Sequence, residues 1–344
     1  MDFENELLDR AAGTLLGLAT GDALGAGYAA APPHPAESAV EMIGGGPAGF
    51  APGEWTDDAA LAIVTALAFV DARGESSRRA QDLMVAGWWE RAQHARSLGA
   101  QTRKVLASAA RIAANDGRKT PTTADALVAS QQYAQMTDLT GGNGSLVRTA
   151  PVALAHLAQP PSRAANAAVR ISALTHVDQR ANEACGIWTA AVHHAIHTGS
   201  ADIRAGLEWL PSNSTTYWLG LIEEAERAHP EDFPDSGWVV HAFQAAWSAI
   251  HHSTAGAGAT GSTAESVRAG LEAAVRAGND TDAVGAIAGS LLGAAHGAGA
   301  LPPEWTSDLH GWPDATAADL VALAGDLASG GAHEPRARRS RRAI

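Results

Sequence analysis

Alanine is abundant along almost the whole chain, whereas runs that alternate polar with β-branched residues are scarce. Alanine is the strongest helix former, and a regular alternation of apolar and polar residues is what a half-buried strand requires. Three segments have the length and apolar density of buried helices: residues 57–70, 183–196 and 282–295. The sequence therefore predicts an all-α fold. Because small residues dominate these segments, we expect helices that approach closely, with the ten tryptophans filling the larger gaps.

The domain organisation follows from length and composition. The chain has 344 residues, of which 46% are hydrophobic, enough to bury a sizeable core and to exclude global disorder. The Gly-, Ala- and Thr-rich stretch near 253–263 is a flexible loop that is too short to link two domains. We predict one domain over residues 1–330, followed by a basic, disordered tail at 331–344 that holds five arginines.

The charge of the chain restricts its partners. A formal net charge of −13 argues against a protein that wraps nucleic acid or binds an anionic membrane surface, since both kinds of binding need a basic face. A nucleic-acid or lipid contact stays open only for the arginine-rich tail.

The N-terminus and the cysteine count indicate the compartment. The first nine residues are acidic without a basic residue, and glycines and Asp22 interrupt the apolar stretch that follows. We therefore expect a cytoplasmic protein without a membrane span. The single cysteine, Cys185, excludes disulfide frameworks and cysteine-rich metal sites, and we expect it to be buried.

Two acidic clusters lie at predicted helix starts, each behind a glycine: residues 53–58 (GEWTDD) and 278–282 (GNDTD). Thr and Asp are good N-caps, and acids in the first turn favour the helix dipole. One cap needs one side chain, however, whereas two carboxylates crowd each of these starts. If the two starts met, the like charges would require protons or cations, and an oxygen-only ligand set without cysteine or histidine suits Mg²⁺ or Mn²⁺. Sequence spacing alone does not show that they meet.

A third feature is the glycine-rich stretch at 140–148, TGGNGSLVR. Several glycines followed by Ser at a helix start can form a nest of backbone N–H groups that holds an anion, although a plain capping loop fits equally well. The spacing is not that of a dinucleotide-binding fingerprint. Arg148 lies just beyond the loop, and a structural salt bridge and a phosphate contact are both open for it.

For several other residues we prefer a structural interpretation. His193 and His197 have i,i+4 spacing that could grip a metal, but no third ligand is identifiable, and packing is the preferred interpretation. We expect His251 and His252 to interact with the C-terminal end of a helix. Trp88 is assigned to the core rather than to a ligand platform.

Five blocks resemble the ADP-ribosylglycohydrolase family, which includes the dinitrogenase-reductase-activating glycohydrolases and the ADP-ribosylhydrolases. They occur in the family's order: GDALGAGY (21–28), IGGGPAGFAPGEWTDD (43–58), GNGSLVRTAPVAL (142–154), LTH (174–176) and GNDTDAVGAIAGSLLGA (278–294). The resemblance implies a compact domain of orthogonally packed helices with a binuclear Mg²⁺ or Mn²⁺ centre below an ADP-ribose cleft. It also implies hydrolysis of the N- or O-glycosidic bond between ADP-ribose and a protein side chain or a related ADP-ribosyl compound.

Carried over by position, the resemblance assigns metal ligands and substrate contacts. The implied metal ligands are Thr56, Asp57, Asp58, Asp280 and Asp282. The implied contacts to ribose and phosphate are Gly142, Asn143, Gly144, Ser145 and His176. No catalytic side chain is identified: a metal-bound water is the expected nucleophile, with Asp57 or Asp282 as the group that orients it.

Two positions depart from the family pattern at the reactive end. The family's acid–base glutamate is replaced by Ala29, and a metal-ligating threonine by Ala283, so fewer than two metal ions could be held. A third change, Ala59 for a frequent threonine, is minor. Loss of a general acid–base group typically costs about 10²–10⁴-fold in rate. The residues that could replace the glutamate through a shifted loop are Asp22, Glu37, Glu41 and Glu54.

Three functions therefore remain open at this point. The leading hypothesis is a divalent-metal-dependent ADP-ribosylglycohydrolase, which acts on an ADP-ribosylated protein or small molecule. The second is a catalytically impaired relative that binds ADP-ribose. The third is a hydrolase of another nucleoside-like glycoside.

Overall fold

The computed structural model describes residues 3–73, 76–256 and 262–330. Within these ranges the chain forms fourteen α-helices and one short antiparallel hairpin, β1 (His310–Gly311) and β2 (Ala315–Thr316). The predicted all-α class is thereby confirmed. The helices are α1 (Phe3–Ala26), α2 (Asp57–Asp71), α3 (Arg78–Ala92), α4 (Ala100–Asn115), α5 (Thr123–Met136), α6 (Ala150–Ala155), α7 (Pro161–Ser172), α8 (Gln179–Thr198), α9 (Ser212–Arg227), α10 (Val239–Gly256), α11 (Thr263–Arg276), α12 (Thr281–His296), α13 (Pro303–Thr306) and α14 (Ala317–Ala328).

The three helices predicted from apolar density are confirmed as α2, α8 and α12. Helix α8 begins four residues earlier than predicted, because the Asp178 side chain accepts hydrogen bonds from the backbone N–H groups of Arg180 and Ala181. That N-cap satisfies two of the free N–H groups at the helix start.

A ladder of small residues joins residues 13–25 of α1 to α12. Glycines recur every fourth residue on α1, and each faces a small residue on α12. A Cβ at Gly17 would overlap the carbonyl oxygen of Gly289, and a Cβ at Gly21 would overlap that of Gly285. At the end of the pair, the Thr281 hydroxyl donates to the carbonyl oxygen of Gly25 at 2.7 Å. The two backbones therefore touch directly, which the glycine spacing permits and no larger residue would.

Large aromatic side chains fill the core elsewhere, as the composition predicts. Trp55, Trp88, Trp188 and Trp218 are among the largest fully buried side chains, and Cys185 is buried as expected. One cluster of buried apolar residues extends from Ala11 to Leu327. The single domain over 1–330 stays a prediction, and the predicted tail at 331–344 lies outside the described residues. Of the loop predicted near 253–263, residues 257–261 also lie outside them, whereas 253–256 belong to α10 and Thr263 begins α11, so the loop is shorter than predicted. None of the described helices is long and apolar enough to cross a membrane.

Candidate active site

Asp22 of α1 organises the first acidic helix start. Its buried carboxylate accepts hydrogen bonds from the Thr56 N–H at 2.8 Å, the Thr56 hydroxyl at 2.7 Å and the Ala59 N–H at 3.1 Å. The Thr56 hydroxyl oxygen in turn accepts from the Asp58 N–H, which makes Thr56 the N-cap of α2. Burial raises the pKa of Asp22 to about 7. Asp22 thus positions Thr56 and the first turn of α2.

Asp57, the first acid of that turn, forms an internal ion pair. Its Oδ1 accepts from Arg91 Nε at 2.7 Å and Nη2 at 2.5 Å, and its Oδ2 accepts from the Ser97 N–H at 2.5 Å. The carboxylate is fully buried, so the pair ties the start of α2 to the end of α3. Its assignment as a metal ligand or water-orienting group stays a prediction, although both of its oxygens already have partners.

The structure brings the two acidic helix starts together. Burial, followed by the negative charges of Asp282, Asp22, Asp280 and Asp57, raises the pKa of Asp58 well above its ordinary value. Burial and the charge of Asp280 do the same to the pKa of Asp282. Residues distant in sequence therefore share one small volume, as the resemblance implied. Such crowding of carboxylates is unfavourable unless protons or cations neutralise it.

The turn before α12 delivers the second pair of acids. Gly278 and Asn279 both have left-handed backbone angles, with φ of +75° and +62°. Glycine and asparagine are the residues that adopt this conformation most readily, and a Cβ at Gly278 would collide with the backbone of Pro33. Two successive left-handed residues turn the chain so that Asp280 and Asp282 enter the cluster.

The donor chemistry of the cluster fits a hard divalent cation. The available groups are oxygens from Thr56, Asp58, Asp280 and Asp282, and Asp282 Oδ1 is buried without a hydrogen-bond partner. A buried carboxylate oxygen that lacks a donor is the kind of group that a cation satisfies. Within the described residues, no three acidic, histidine or cysteine side chains are already arranged to hold one metal ion.

The glycine-rich loop meets the acidic cluster through one side chain. Asn143 Nδ2 donates to Asp280 Oδ2 at 2.5 Å and to the carbonyl oxygen of Ser236 at 2.8 Å. The loop is held by strand-like pairing with the segment before α10, because the Asn143 N–H donates to Gly237 O and Gly142 pairs with Trp238. From Asn143 to Arg148 the chain continues as a 3₁₀-helix.

His176 lies behind the two glycines of this loop. A Cβ at Gly142 would lie 3.4 Å from His176 Nε2, and a Cβ at Gly144 would lie 3.1 Å from the Thr102 hydroxyl. Burial and the nearby charge of Arg148 hold the pKa of His176 well below its ordinary value, so the imidazole is neutral. His176 therefore lies beside the loop, and its contact with the substrate stays a prediction.

Arg148 supports the loop from inside the core. Its Nη1 donates to Gly144 O at 2.6 Å, its Nη2 donates to the Thr175 hydroxyl, and its guanidinium lies 4.3 Å from the ring centroid of Trp88. Burial lowers its pKa to about 10. Within the described residues no carboxylate lies within ion-pair distance, and the side chain is fully buried. Neither a salt bridge nor an exposed phosphate contact is therefore observed.

Ser145 is also an internal residue. Its hydroxyl oxygen accepts from the Ser172 hydroxyl at 3.0 Å and from the Cys185 thiol at 3.4 Å, and the side chain is fully buried. Its contact with substrate stays a prediction, and in this structure the hydroxyl joins the loop to α7 and α8.

The two departures from the family pattern both lie at the acidic cluster. Ala283 is buried next to Asp282, and Ala29 follows α1 in a segment that pairs with Asn279 through backbone hydrogen bonds from Ala30 and to Ala31. Position 29 is therefore next to the turn that carries Asp280.

The replacements considered for the missing glutamate have different surroundings. Glu54 pairs with Arg96 and caps the Ala51 N–H, while Glu37 and Glu41 have exposed side chains. Asp22 is the candidate that lies within the cluster.

The remaining histidines and tryptophans occupy structural positions. The rings of His193 and His197 lie 4.7 Å apart, and His197 Nε2 contacts Leu157 O at 3.1 Å. Trp88 is buried and donates to Leu61 O, as expected for a core residue. His252 contacts Ala228 O rather than the end of its own helix.

Sequence reasoning missed several residues that support the site. Asp22 was considered only as a replacement base, and Arg91, Gln101 and Ser236 were not considered. The only available signal was the position of Asp22 within the GDALG block. The partners of the other three are remote in sequence and become visible only in three dimensions.

The site thus joins two acidic helix starts to a glycine-rich loop in an all-α fold, around a carboxylate-rich centre. The family model described as ADP-ribosylglycohydrolase matches residues 4–336, and the chain belongs to this family. Membership makes the protein an enzyme, a hydrolase, as the sequence predicted.

Curated relatives and a solved structure agree with this assignment. The chain is 28% identical over 308 residues to the ADP-ribosylarginine hydrolase Tri1 of Pseudomonas putida (strain GB-1), a match that covers 87% of this chain and 74% of the relative. It is 24% identical over 312 residues to the ADP-ribosylarginine hydrolase Tri1 of Serratia proteamaculans (strain 568), covering 89% and 76%. A solved structure described as an ADP-ribosylglycohydrolase-related protein complex superposes with a TM-score of 0.70 at 28% identity, covering 95% of this chain and 99% of that one.

Proposed function

We propose that this protein hydrolyses the glycosidic bond between ADP-ribose and an arginine side chain of a modified protein. The observation that carries the proposal is the hydrogen bond from Asn143 to Asp280, which joins the glycine loop to the acidic cluster. An anion-binding loop and a carboxylate centre are the two parts that release of a phosphate-bearing sugar requires. The names of the two curated relatives point to arginine as the leaving group.

Divalent cations are part of this proposal. Thr56, Asp58, Asp280 and Asp282 would hold Mg²⁺ or Mn²⁺, two ions or fewer given Ala283. When bound, such a cation lowers the pKa of a water molecule and orients the ribose hydroxyls. Asp282 Oδ1, which lacks a donor, is able to accept a hydrogen bond from the attacking water.

The glycine loop would hold the pyrophosphate. Backbone N–H groups around Gly142 and Gly144 supply positive partial charge without a side chain in the way. Arg148, fixed behind the loop through Gly144 O, adds a full positive charge to a chain whose net charge is −13. Asn143 holds the loop at a fixed distance from Asp280, and thus the pyrophosphate at a fixed distance from the bond that breaks.

The test is calorimetric titration of ADP-ribose into the protein with Mg²⁺, with Mn²⁺ and with EDTA, followed by hydrolysis of an ADP-ribosylated arginine peptide. We expect metal-dependent binding and release of ADP-ribose. Asp282→Asn should abolish turnover, whereas Glu41→Gln, which changes an exposed acid outside the cluster, should leave it intact. No release of ADP-ribose by the metal-loaded protein, from any ADP-ribosylated substrate, contradicts the proposal.

A second candidate is an ADP-ribose-binding protein that has lost turnover. It is favoured by Ala29, which lies beside the turn that carries Asp280 and presents no carboxylate there. If this candidate holds, Ala29→Glu should raise the hydrolysis rate by about 10²-fold or more, because it restores a general acid–base group. Rapid multiple turnover by the unaltered protein would eliminate it.

A further inference from the structure

A cavity of about 470 Å³ lies between α4 and α5, outside the acidic cluster. Ala107 and Ala129 contribute small apolar side chains to its lining, and Tyr133, Met136 and Leu139 contribute large ones. A second depression of about 420 Å³ shares Ser108 and Arg111 with it. Together they form a groove along α4, named here the α4–α5 groove.

The groove is basic in an acidic protein. Helix α4 has three basic residues, Arg103, Lys104 and Arg111, and no acid. Lys104 and Arg111 line the cavity with exposed side chains, and among the described residues neither has a carboxylate within ion-pair distance. By contrast, Asp116 after α4 and Asp125 in the first turn of α5 both pair with Arg118. Asp138 is an exposed acid at the rim, between the lining residues Thr137 and Leu139, so the two cations of the groove exceed its acids by one. With a net charge of −13 over the whole chain, this local excess of positive charge favours a negatively charged occupant.

The rim of the groove is apolar and exposed. Met136 and Leu139 expose 77% and 81% of their surface, more than the other large hydrophobic residues in the described part of the chain. Exposed apolar side chains beside a cationic wall are typical of a surface that binds a peptide rather than a bare ion.

The groove is continuous with the glycine loop. Leu139 directly precedes Thr140, whose carbonyl oxygen accepts from Gln101 Nε2 at 2.9 Å. Gln101 also donates to Thr175 O at 3.0 Å and lies one helical turn before Lys104. At 1.5 Å per residue, Arg111 is about 15 Å from Gln101 along α4, the reach of four or five extended residues.

We propose that the α4–α5 groove binds the polypeptide of the ADP-ribosylated protein substrate, through an acidic segment with an apolar residue that flanks the modified arginine. This inference rests on the proposed function, since it assigns the part of the substrate that lies outside the ADP-ribose site. Lys104 and Arg111 contact the acids, and Met136 and Leu139 cover the apolar side chain.

Fluorescence anisotropy on three labelled peptides tests this inference. The first is acidic with one leucine and an ADP-ribosylated arginine, the second replaces its acids with lysines, and the third is the acidic peptide without ADP-ribose. We expect Lys104→Glu/Arg111→Glu to weaken binding of both acidic peptides about tenfold and to leave the affinity for ADP-ribosyl-arginine unchanged. The milder Lys104→Gln/Arg111→Gln should act in the same direction. The matched control is Arg163→Glu/Arg170→Glu on α7, which makes the same charge change at exposed positions outside the groove.

The outcomes distinguish a failure of the groove inference from a failure of the proposed function. If the groove variant and the control variant bind the acidic peptides equally well, the groove does not bind the substrate polypeptide. The same conclusion follows if the wild type binds the lysine peptide, or a twelve-residue single-stranded oligothymidine, more strongly than the acidic peptides. If ADP-ribosyl-arginine is neither bound nor cleaved, the proposed function fails, and the unmodified acidic peptide still decides whether the groove binds a polypeptide.

Discussion

Individual carboxylates in the candidate active site have different roles according to their partners. Asp57 has a cation and a backbone N–H, so it is neutralised within the protein. Asp22 accepts three hydrogen bonds and holds Thr56 in place. Asp58 and Asp282 have no such cation, and burial together with the charges of neighbouring carboxylates raises the pKa of both. The unneutralised charge is thus concentrated where a cation or substrate would sit.

This imbalance predicts an unusual pH dependence of stability for the metal-free protein. A carboxyl group with a raised pKa binds a proton in the folded state that it has lost in the unfolded state, so stability falls as pH rises toward the folded pKa. Asp22, with a pKa near 7, titrates between pH 6.5 and 8. We expect a loss of about 1 kcal/mol from this carboxyl group between pH 6.5 and 8 in EDTA.

Urea unfolding at pH 6.5 and 8, in EDTA and in Mn²⁺, measures this loss. The pH slope should be shallower in Asp58→Asn, which removes one of the repelling charges, and should persist in Glu37→Gln, an exposed acid. A pH slope that is the same in Asp58→Asn and in the wild type would contradict the charge crowding, because the buried histidines with lowered pKa contribute equally to both proteins.

Site residues were predictable from the sequence where they lie close together along the chain. Thr56 with Asp58, and Asp280 with Asp282, are each two residues apart at one helix start, so the location of each pair at its helix start follows from the sequence. The pairing of Asp57 with Arg91 and the internal position of Arg148 were not predictable. In both cases a partner or an environment from another helix decides the role, and a single sequence holds no signal for it.

Among the helices, α1 and α12 depend on direct backbone contact. A Cβ at Gly17 has no space, because it would meet the carbonyl oxygen of Gly289. We expect Gly17→Ala to lower the free energy of unfolding by about 3 kcal/mol, the upper part of the usual range for overpacking, despite the better helix propensity of alanine.

Helix α9 offers a matched control for this substitution. A Cβ at Gly220, also in the interior of a helix, would meet no atom within 4 Å. Gly220→Ala should therefore raise stability by about 0.5–1 kcal/mol. Both changes are measured by chemical denaturation, and equal effects of the two would rule out the close contact of α1 with α12.

Helix types were predictable from apolar density, whereas helix ends and pairings were less so. The glycines of α1 were interpreted as interruptions of an apolar stretch, yet α1 continues through all of them. The signal that would have predicted the pair was present in both segments: glycine at every fourth position, at 13, 17, 21 and 25 and again at 285, 289 and 293. Such spacing places the glycines on one face of each helix.

At the scale of the whole molecule, the site is assembled from α1, α2, the 142–148 loop and α12. Any ligand that binds this assembled cluster stabilises the folded protein by mass action. We expect Mn²⁺ or Mg²⁺ at 100 times its dissociation constant to add about 2.7 kcal/mol, seen as a rise of several degrees in Tm relative to EDTA.

A variant lacking one donor is the control for this effect. Asp280→Asn should lose most of the metal-dependent rise in Tm, while Glu41→Gln should keep it. An unchanged Tm in the wild type over a millimolar range of both ions would argue against a metal centre.

The convergence of these elements was the part of the site least accessible from sequence. Spacing predicted two acidic helix starts and one anion loop, and left open whether they meet. The resemblance to a family supplied the meeting point, and the contacts of Asn143 with Asp280 and of Asp22 with Thr56 show how it is built. Burial and tertiary pairing, rather than local propensity, determine how these elements converge.

The glycine ladder also determines which parts of the molecule are able to vary. Two backbones in contact at every fourth residue cannot slide past each other by a fraction of a turn, because each intermediate position brings side chains against carbonyl groups. The spacing between Asp22 and Asp282, one on each helix, is therefore nearly invariant. Adaptation to a differently sized leaving group then falls to the segments at 27–52 and 137–141, so related chains should diverge in specificity in these segments while the carboxylates and the glycine loop keep their places.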